Sequence, residues 1–195
     1  FYKSWEYKKG LNYYYSKWFS DVPTESIAIG ERSSSYLFGR NSVAKKISSV
    51  FSDMKFIFVL RNPIERTWAN YRFTVLNGIE NLCFMEALEQ ESVRVKNQTG
   101  KWSEIQPYNY TGRSLYGIQL LEYFNNFSKE QILLIKSENL SNQTDIELQK
   151  IYNFLDLTIL DFEPYQMPDH TSVSVINLDL QMKLRNHFGD KFDKI

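Results

Sequence analysis

The sequence is short of several things, and each shortage excludes something. It has one cysteine, Cys83, so no disulfide can close within it. That fits a reducing compartment, and a cytoplasmic location is expected. The two histidines, His170 and His187, are isolated from any cysteine or carboxylate cluster with metal-ligand spacing, so no metal is expected. Neither sign of charge dominates: 23 Lys and Arg balance 23 Asp and Glu. A neutral chain is not a general nucleic-acid binder, although it can carry a local basic pocket. No apolar run approaches the roughly 20 residues of a membrane span, so no membrane segment is expected. No internal repeat and no linker divides the 195 residues, which read as a single domain.

What is present points to a folded domain. Hydrophobic residues make up 43% and aromatic residues 16% of the chain, enough for a real core. Asn-x-Ser/Thr triplets occur at Asn97, Asn109, Asn126, Asn139 and Asn142. A chain this rich in Asn and Ser supplies such triplets by chance; a Golgi lumen is the alternative location if they are used.

The most informative stretch runs from Lys55 to Tyr71. Phe56 to Leu60 is a continuous apolar run of strand length. Asn62 suits a helix N-cap and Pro63 the first helical position, so a helix starts there. Arg61 stands at the hinge. A parallel strand turning sharply into a helix presents free backbone N–H groups and the positive end of the helix dipole. With a guanidinium added, the turn suits an anion, most naturally a phosphate.

The rest alternates in the same way. Tyr7 to Phe19 reads as an aromatic helix and Ser26 to Gly30 as a short strand ending in Glu31 and Arg32. A helix follows from Ser42 to about Phe51. The helix from Pro63 to about Asn77 places Ile64, Trp68, Tyr71 and Val75 inward and stops at Gly78. Residues 79–113 are polar and aromatic after a helix at Phe84 to Gln90, and read as an insertion or acceptor-side region. Ser114 opens a helix with Leu115, Ile118, Leu121 and Phe124 inward. Gln131 to Lys136 is a second buried strand. Helices follow at Ile146 to Leu155 and Leu178 to Phe188. The pattern implies an α/β fold: a parallel sheet wound with helices on both faces, its ligands at the carboxyl ends of the strands.

The stretch LRNPIERTWANY resembles the 3′-phosphate-binding segment of sulfotransferases that use 3′-phosphoadenosine 5′-phosphosulfate (PAPS). GERSSSY, at Gly30 to Tyr36, is similar to the Gly-Glu-Lys-x-x-x-Tyr segment of the heparan-sulfate-type and related bacterial members. Arg113 to Leu140 resembles their helix-strand unit, IYNFLDL their Phe-Leu-Gly-Leu helix end, and YKKGLNYYYSKW the helix after their acceptor-side strand. The four collinear matches, with this last one, cover nearly the whole chain.

The resemblance implies a fold related to P-loop nucleotide kinases, PAPS as donor, and no metal. Arg61 would grip the 3′-phosphate. The family usually has a serine eight residues further on; here it is Ala69, with Asn70 or Thr67 as partial substitutes. Arg32 stands where the family often has a lysine near the transferred sulfuryl group. It keeps the charge but does not donate a proton. Arg113 and Tyr116 would lie near the nucleotide, and Tyr165 to Asn177 would close over it, with His170, Thr171 and Ser172 as its polar residues. Glu31 and Glu138 read as loop-orienting groups. The acceptor, a glycan or small metabolite, would stack on Trp18, Trp102 and Tyr110, with Trp5 and Tyr108 as further candidates.

The family's first strand, its Pro-Lys-x-Gly-Thr-Thr loop for the 5′-phosphosulfate and its usual catalytic base have no counterpart in these residues, and the base is expected outside them. Two other readings stay open at this level. One is a nucleotide kinase on the related fold, which would need a Gly-x-x-x-x-Gly-Lys-Ser/Thr loop and magnesium. The other is a binding module without turnover.

Overall fold

Two parallel strands form the centre of the molecule. The computed structural model describes residues 4–158 and 176–189. In chain order it has α1 (Ser4–Tyr7), α2 (Gly10–Trp18), α3 (Arg40–Ser48), β1 (Phe56–Leu60) and α4 (Pro63–Leu76). Next come α5 (Phe84–Glu89), α6 (Glu91–Asn97) and α7 (Lys101–Ile105), then a 3-10 turn at Gly112–Ser114. The chain continues through α8 (Tyr116–Phe124), β2 (Ile132–Lys136), α9 (Ser137–Asn142), α10 (Thr144–Leu155) and α11 (Leu178–Phe188). β1 and β2 pair in parallel, Phe56 opposite Ile132 and Leu60 opposite Lys136. The α/β class and the parallel sheet agree with the sequence reading.

Burial explains the pairing. Val43, Ala44 and Ile47 of α3 pack with Phe56, Ile132, Tyr123 and Phe127 into one core. The Phe56 ring sits 4.6 Å from that of Phe127 and 5.2 Å from that of Tyr123, both edge to face. Such pairs add about 0.5–1.5 kcal/mol each beyond burial. Gln131 locks the strand ends by donating to the Ser52 and Met54 carbonyls at 2.8 and 3.0 Å.

A second core lies beyond α4 and takes in buried residues of the 79–113 region. Ile64 of α4 packs with Phe84, Ala87 and Leu88 of α5, with Tyr110, and with Leu184 and Phe188 of α11. Tyr110 anchors it: its hydroxyl donates to Glu80 at 2.5 Å and lies 3.0 Å from Thr74 Oγ1. Glu80 also takes Arg94 at 2.7 Å and the amides of Asn81 and Leu82. The polar segment is buried because its carboxylate is fully partnered.

Four further expectations differ. Ser26 to Gly30 is not a strand; Ile27 and Ile29 are exposed and no strand pairs with them among the described residues. The aromatic N-terminal helix breaks into α1 and α2 at Gly10, whose φ of +80° suits glycine, and α2 buries none of its residues. In α8 the inward face is Tyr116, Gln119, Leu120 and Tyr123, while Ile118, Leu121 and Phe124 are exposed. That helix is apolar on most sides, and the large rings of Tyr116 and Tyr123 set which side is inward. Val75 of α4 is exposed too, its inner positions taken by Thr67 and Thr74.

Candidate functional site

The carboxyl end of β1 brings together Arg61, Asn62 and Glu138. Arg61 follows the strand, and Asn62 caps α4 with its side chain, accepting from the amides of Ile64 at 3.0 Å and Glu65 at 3.5 Å. The Asn62 amide donates to Glu138 Oε1 at 2.9 Å, and the Arg66 amide to the Asn62 carbonyl at 2.9 Å. Pro63 has no N–H. The amides expected to face an anion are therefore already used. An anion at this turn meets side chains, not a nest of backbone donors.

Those side chains are basic. The Arg61 guanidinium pairs with Glu65 one turn along, Nη2 to Oε2 at 3.1 Å and Nε to Oε2 at 3.1 Å. The two side chains are 40% and 44% exposed. The buried Tyr116 phenol lies near the Arg61 backbone amide. Burial raises that phenol above its usual range, although the charge of Arg66 and the Arg61 amide pull the other way. Glu138 stands at the start of α9, directly after β2, and joins the two strand tips as a loop-orienting group.

The stripe of α4 that continues from Asn62 carries Arg66, Ala69 and Asn70. Arg66 donates Nη1 to the Tyr110 carbonyl at 3.1 Å and Nη2 to Asn70 Oδ1 at 3.1 Å. Asn70 Nδ2 donates to the Pro107 carbonyl at 3.3 Å. Both ends of the Asn70 amide are thus engaged. Thr67 is fully buried, its Oγ1 2.9 Å from both the Pro63 carbonyl and Ser114 Oγ. Beside Ala69, Asn70 and Thr67 are thus already engaged with Arg66, Pro107, Pro63 and Ser114. Arg66 was missed in the sequence; the signal was its place between Asn62 and Ala69 on one helical stripe.

Arg113 arrives from the 3-10 turn opposite α4. It is buried, donates Nη2 to the Ile105 carbonyl, and lies 4.2 Å above the Phe38 ring. Glu91 fixes the turn by accepting the Thr111 amide and hydroxyl and the Gly112 amide, the closest at 2.8 Å. Burial raises the Glu91 carboxyl above its ordinary range in spite of those bonds. A Cβ at Gly112 would fall 2.1 Å from Asn109 Oδ1, so the Asn109 side chain would have to swing aside for any other residue.

A cavity of about 1040 Å³ opens between α2 and residues 30–36. Tyr13, Tyr14, Trp18, Tyr36, Glu31 and Arg32 line it. Tyr14 and Tyr36 both hydrogen-bond to Glu31, and each phenol is raised, burial first and the Glu31 charge second or third. Arg32 and Trp18 therefore share one cavity. Trp102, exposed on α7, is not among its lining residues. Tyr110 has no exposed surface and offers no face to a sugar, which removes it from the acceptor candidates. Residues 165–175, with His170, Thr171 and Ser172, lie outside the described residues.

The fold thus carries an arginine at the tip of a parallel strand and, lined by other residues, an aromatic cavity. The chain belongs to the sulfotransferase domain family, which matches residues 1–177. Its fold is the sulfotransferase fold. The crystal structure of a sulfotransferase from Alicyclobacillus acidocaldarius superposes with a TM-score of 0.74 at 26% identity, covering 93% of this chain and 68% of that one. The bifunctional heparan sulfate N-deacetylase/N-sulfotransferase 1 of Caenorhabditis elegans is 25% identical over 165 residues, 85% of this chain and 18% of that protein. The heparan sulfate glucosamine 3-O-sulfotransferase 3B1 of Homo sapiens is 28% identical over 159 residues, 77% of this chain and 36% of that protein. The chain thus spans well under half the length of these curated relatives.

Proposed function

We propose that this domain transfers a sulfuryl group from PAPS to a hydroxyl, or in second place an amine, of a carbohydrate or small metabolite. The observation that carries the reading is the β1–α4 junction, an arginine at the carboxyl tip of a parallel strand in a chain of this family. The residues present fit the donor's 3′-phosphate. Arg61 and its partner Glu65 are both partly exposed, so exchanging that carboxylate for a phosphate costs little. Arg61 would hold the phosphate by paired charge-assisted hydrogen bonds.

PAPS supplies an activated sulfuryl group. A bond forms from the acceptor oxygen to sulfur as the bond from sulfur to the bridging phosphate oxygen breaks, releasing adenosine 3′,5′-bisphosphate, while a base takes the acceptor proton. Arg32, on the cavity wall, would stabilise the charge that builds on the bridging oxygen. Trp18 would stack against the acceptor from the same cavity.

Titration calorimetry with adenosine 3′,5′-bisphosphate tests the donor half, and mass spectrometry of glycan acceptors incubated with PAPS tests transfer. Micromolar binding and a sulfated product support the reading; failure of the bisphosphate to bind overturns it. A module that binds without turnover is favoured by Ala69 and by the amides already used at the α4 start. Bisphosphate binding with no sulfated product would identify it.

A further inference from the structure

The cationic stripe of α4 does not end at Arg61. Arg66 is partly buried, and its two contacts, to the Tyr110 carbonyl and the Asn70 side-chain oxygen, are both to neutral groups. A guanidinium carries five N–H donors, so these leave three unused. No carboxylate among the described residues lies within 4.0 Å of it. Two other arginines have carboxylate partners: Arg94 has Glu80 at 2.7 Å and Arg61 has Glu65 at 3.1 Å. Burial, and then the positive charge of Arg113, push the Arg66 group down to about 10, with opposing contributions from Tyr116 and Glu91. It stays charged at neutral pH. Taking an unpaired cation out of water is costly, and the cost falls when an anion binds beside it.

The placement matters as much as the charge. Arg66 is one turn from Asn62 and one turn from Ala69 on the same side of α4. Asn70 and Tyr110 fix the guanidinium, so little side-chain freedom is lost when a further bond forms.

We propose that Arg66 is a second anion-binding residue of the donor edge, whose unused N–H groups take a phosphate oxygen beside Ala69, where a hydroxyl is missing. The inference rests on the donor reading above. It differs from a bracing role, in which Arg66 would only tie α4 to the Tyr110 loop.

The test compares adenosine 3′,5′-bisphosphate with adenosine 5′-phosphate by calorimetry, on the full chain and on Arg66→Met and Arg66→Lys. The expected result is a loss of about tenfold or more for the bisphosphate in Arg66→Met, the size of a lost charge-assisted hydrogen bond, with the monophosphate unchanged. Arg66→Lys should lose less, because it keeps the charge. Adding Ala69→Ser to Arg66→Met should recover part of the loss, which a bracing role does not predict. If Arg66→Met fails to fold, Arg66→Lys and Ala69→Ser alone carry the comparison. Equal weakening toward both nucleotides, or no change toward either, overturns the proposal while leaving the donor reading in place. If the unsubstituted chain does not bind the bisphosphate, both fall together.

Discussion

Arg61 and Glu65 face each other across one turn of α4, with two guanidinium nitrogens 3.1 Å from the same carboxylate oxygen. The pair holds the arginine at the strand tip and also occupies it. A half-exposed i,i+4 pair contributes only about 0.3–0.5 kcal/mol to stability. Its effect on ligand binding should be larger, because a phosphate must displace the carboxylate. Glu65→Gln is therefore expected to tighten adenosine 3′,5′-bisphosphate binding by about 1 kcal/mol, while the melting temperature barely moves. Calorimetry on the two forms, with a thermal melt of each, is the check; weaker binding in Glu65→Gln would show that the carboxylate orients Arg61 instead of competing for it.

Removing the arginine itself should act in the opposite direction. Arg61→Ala is expected to weaken bisphosphate binding by about 2–4 kcal/mol if its side chain grips a desolvated phosphate. Stability should change little, since the side chain is 40% exposed. An unchanged affinity would remove Arg61 from the donor site.

Tyr110 and Glu80 lead to a prediction about pH. Burial works to raise the Glu80 carboxyl, but hydrogen bonds from Arg94, Tyr110 and the Leu82 amide outweigh it and hold the group below its ordinary range. A carboxyl depressed in the folded state contributes stability that is present above its unfolded value. That stability is lost as pH falls through the folded value. Tyr110→Phe removes one of those donors and should cost about 1–3 kcal/mol at neutral pH. The difference between the two forms should shrink on acidification below the usual carboxylate range. Thermal melts across that range give the answer; a constant gap would place the Tyr110 contribution in packing alone.

Trp18 and Trp102 provide a matched pair for the acceptor side. Both indoles are about half exposed, but only Trp18 lines the cavity that Arg32 shares. Trp18→Ala should raise the KM for a glycan acceptor by about tenfold or less, the scale of one stacking contact, and leave bisphosphate affinity unchanged. Trp102→Ala should alter neither. Equal effects of both substitutions would count against the cavity as the acceptor site.

Much of the frame was legible because its signals were redundant. Phe56 to Leu60 is apolar throughout, and Asn62 with Pro63 marks the next helix start twice; both elements lie where the sequence put them. The α8 face was not legible, since apolar residues on several sides offer competing stripes and only residues distant in sequence, such as Phe56 and Val43, select among them. The Ser26–Gly30 strand lacked what any strand needs, a paired neighbour among the described residues. Arg61 could be singled out from its hinge position. Arg66 could not, because a helix-surface arginine and a half-buried one look alike until the Tyr110 carbonyl, 44 residues away, comes into range. Tyr110 itself was misread for the same reason, since nothing local announces its hydrogen bond to Glu80.

Glu138 has one more effect. Its carboxylate reaches from the end of β2 to the Asn62 amide beyond β1. Burial tends to raise it, yet that amide, its own backbone N–H, the Ser137 hydroxyl and the Arg61 charge hold it below the usual range. The two strand ends are thereby set at a fixed separation before any ligand arrives. A nucleotide laid across them would meet a rigid ledge whose ordering cost was met during folding. Strong acid would loosen that ledge at its crosspiece, so donor affinity would decline at a pH where the two cores still hold.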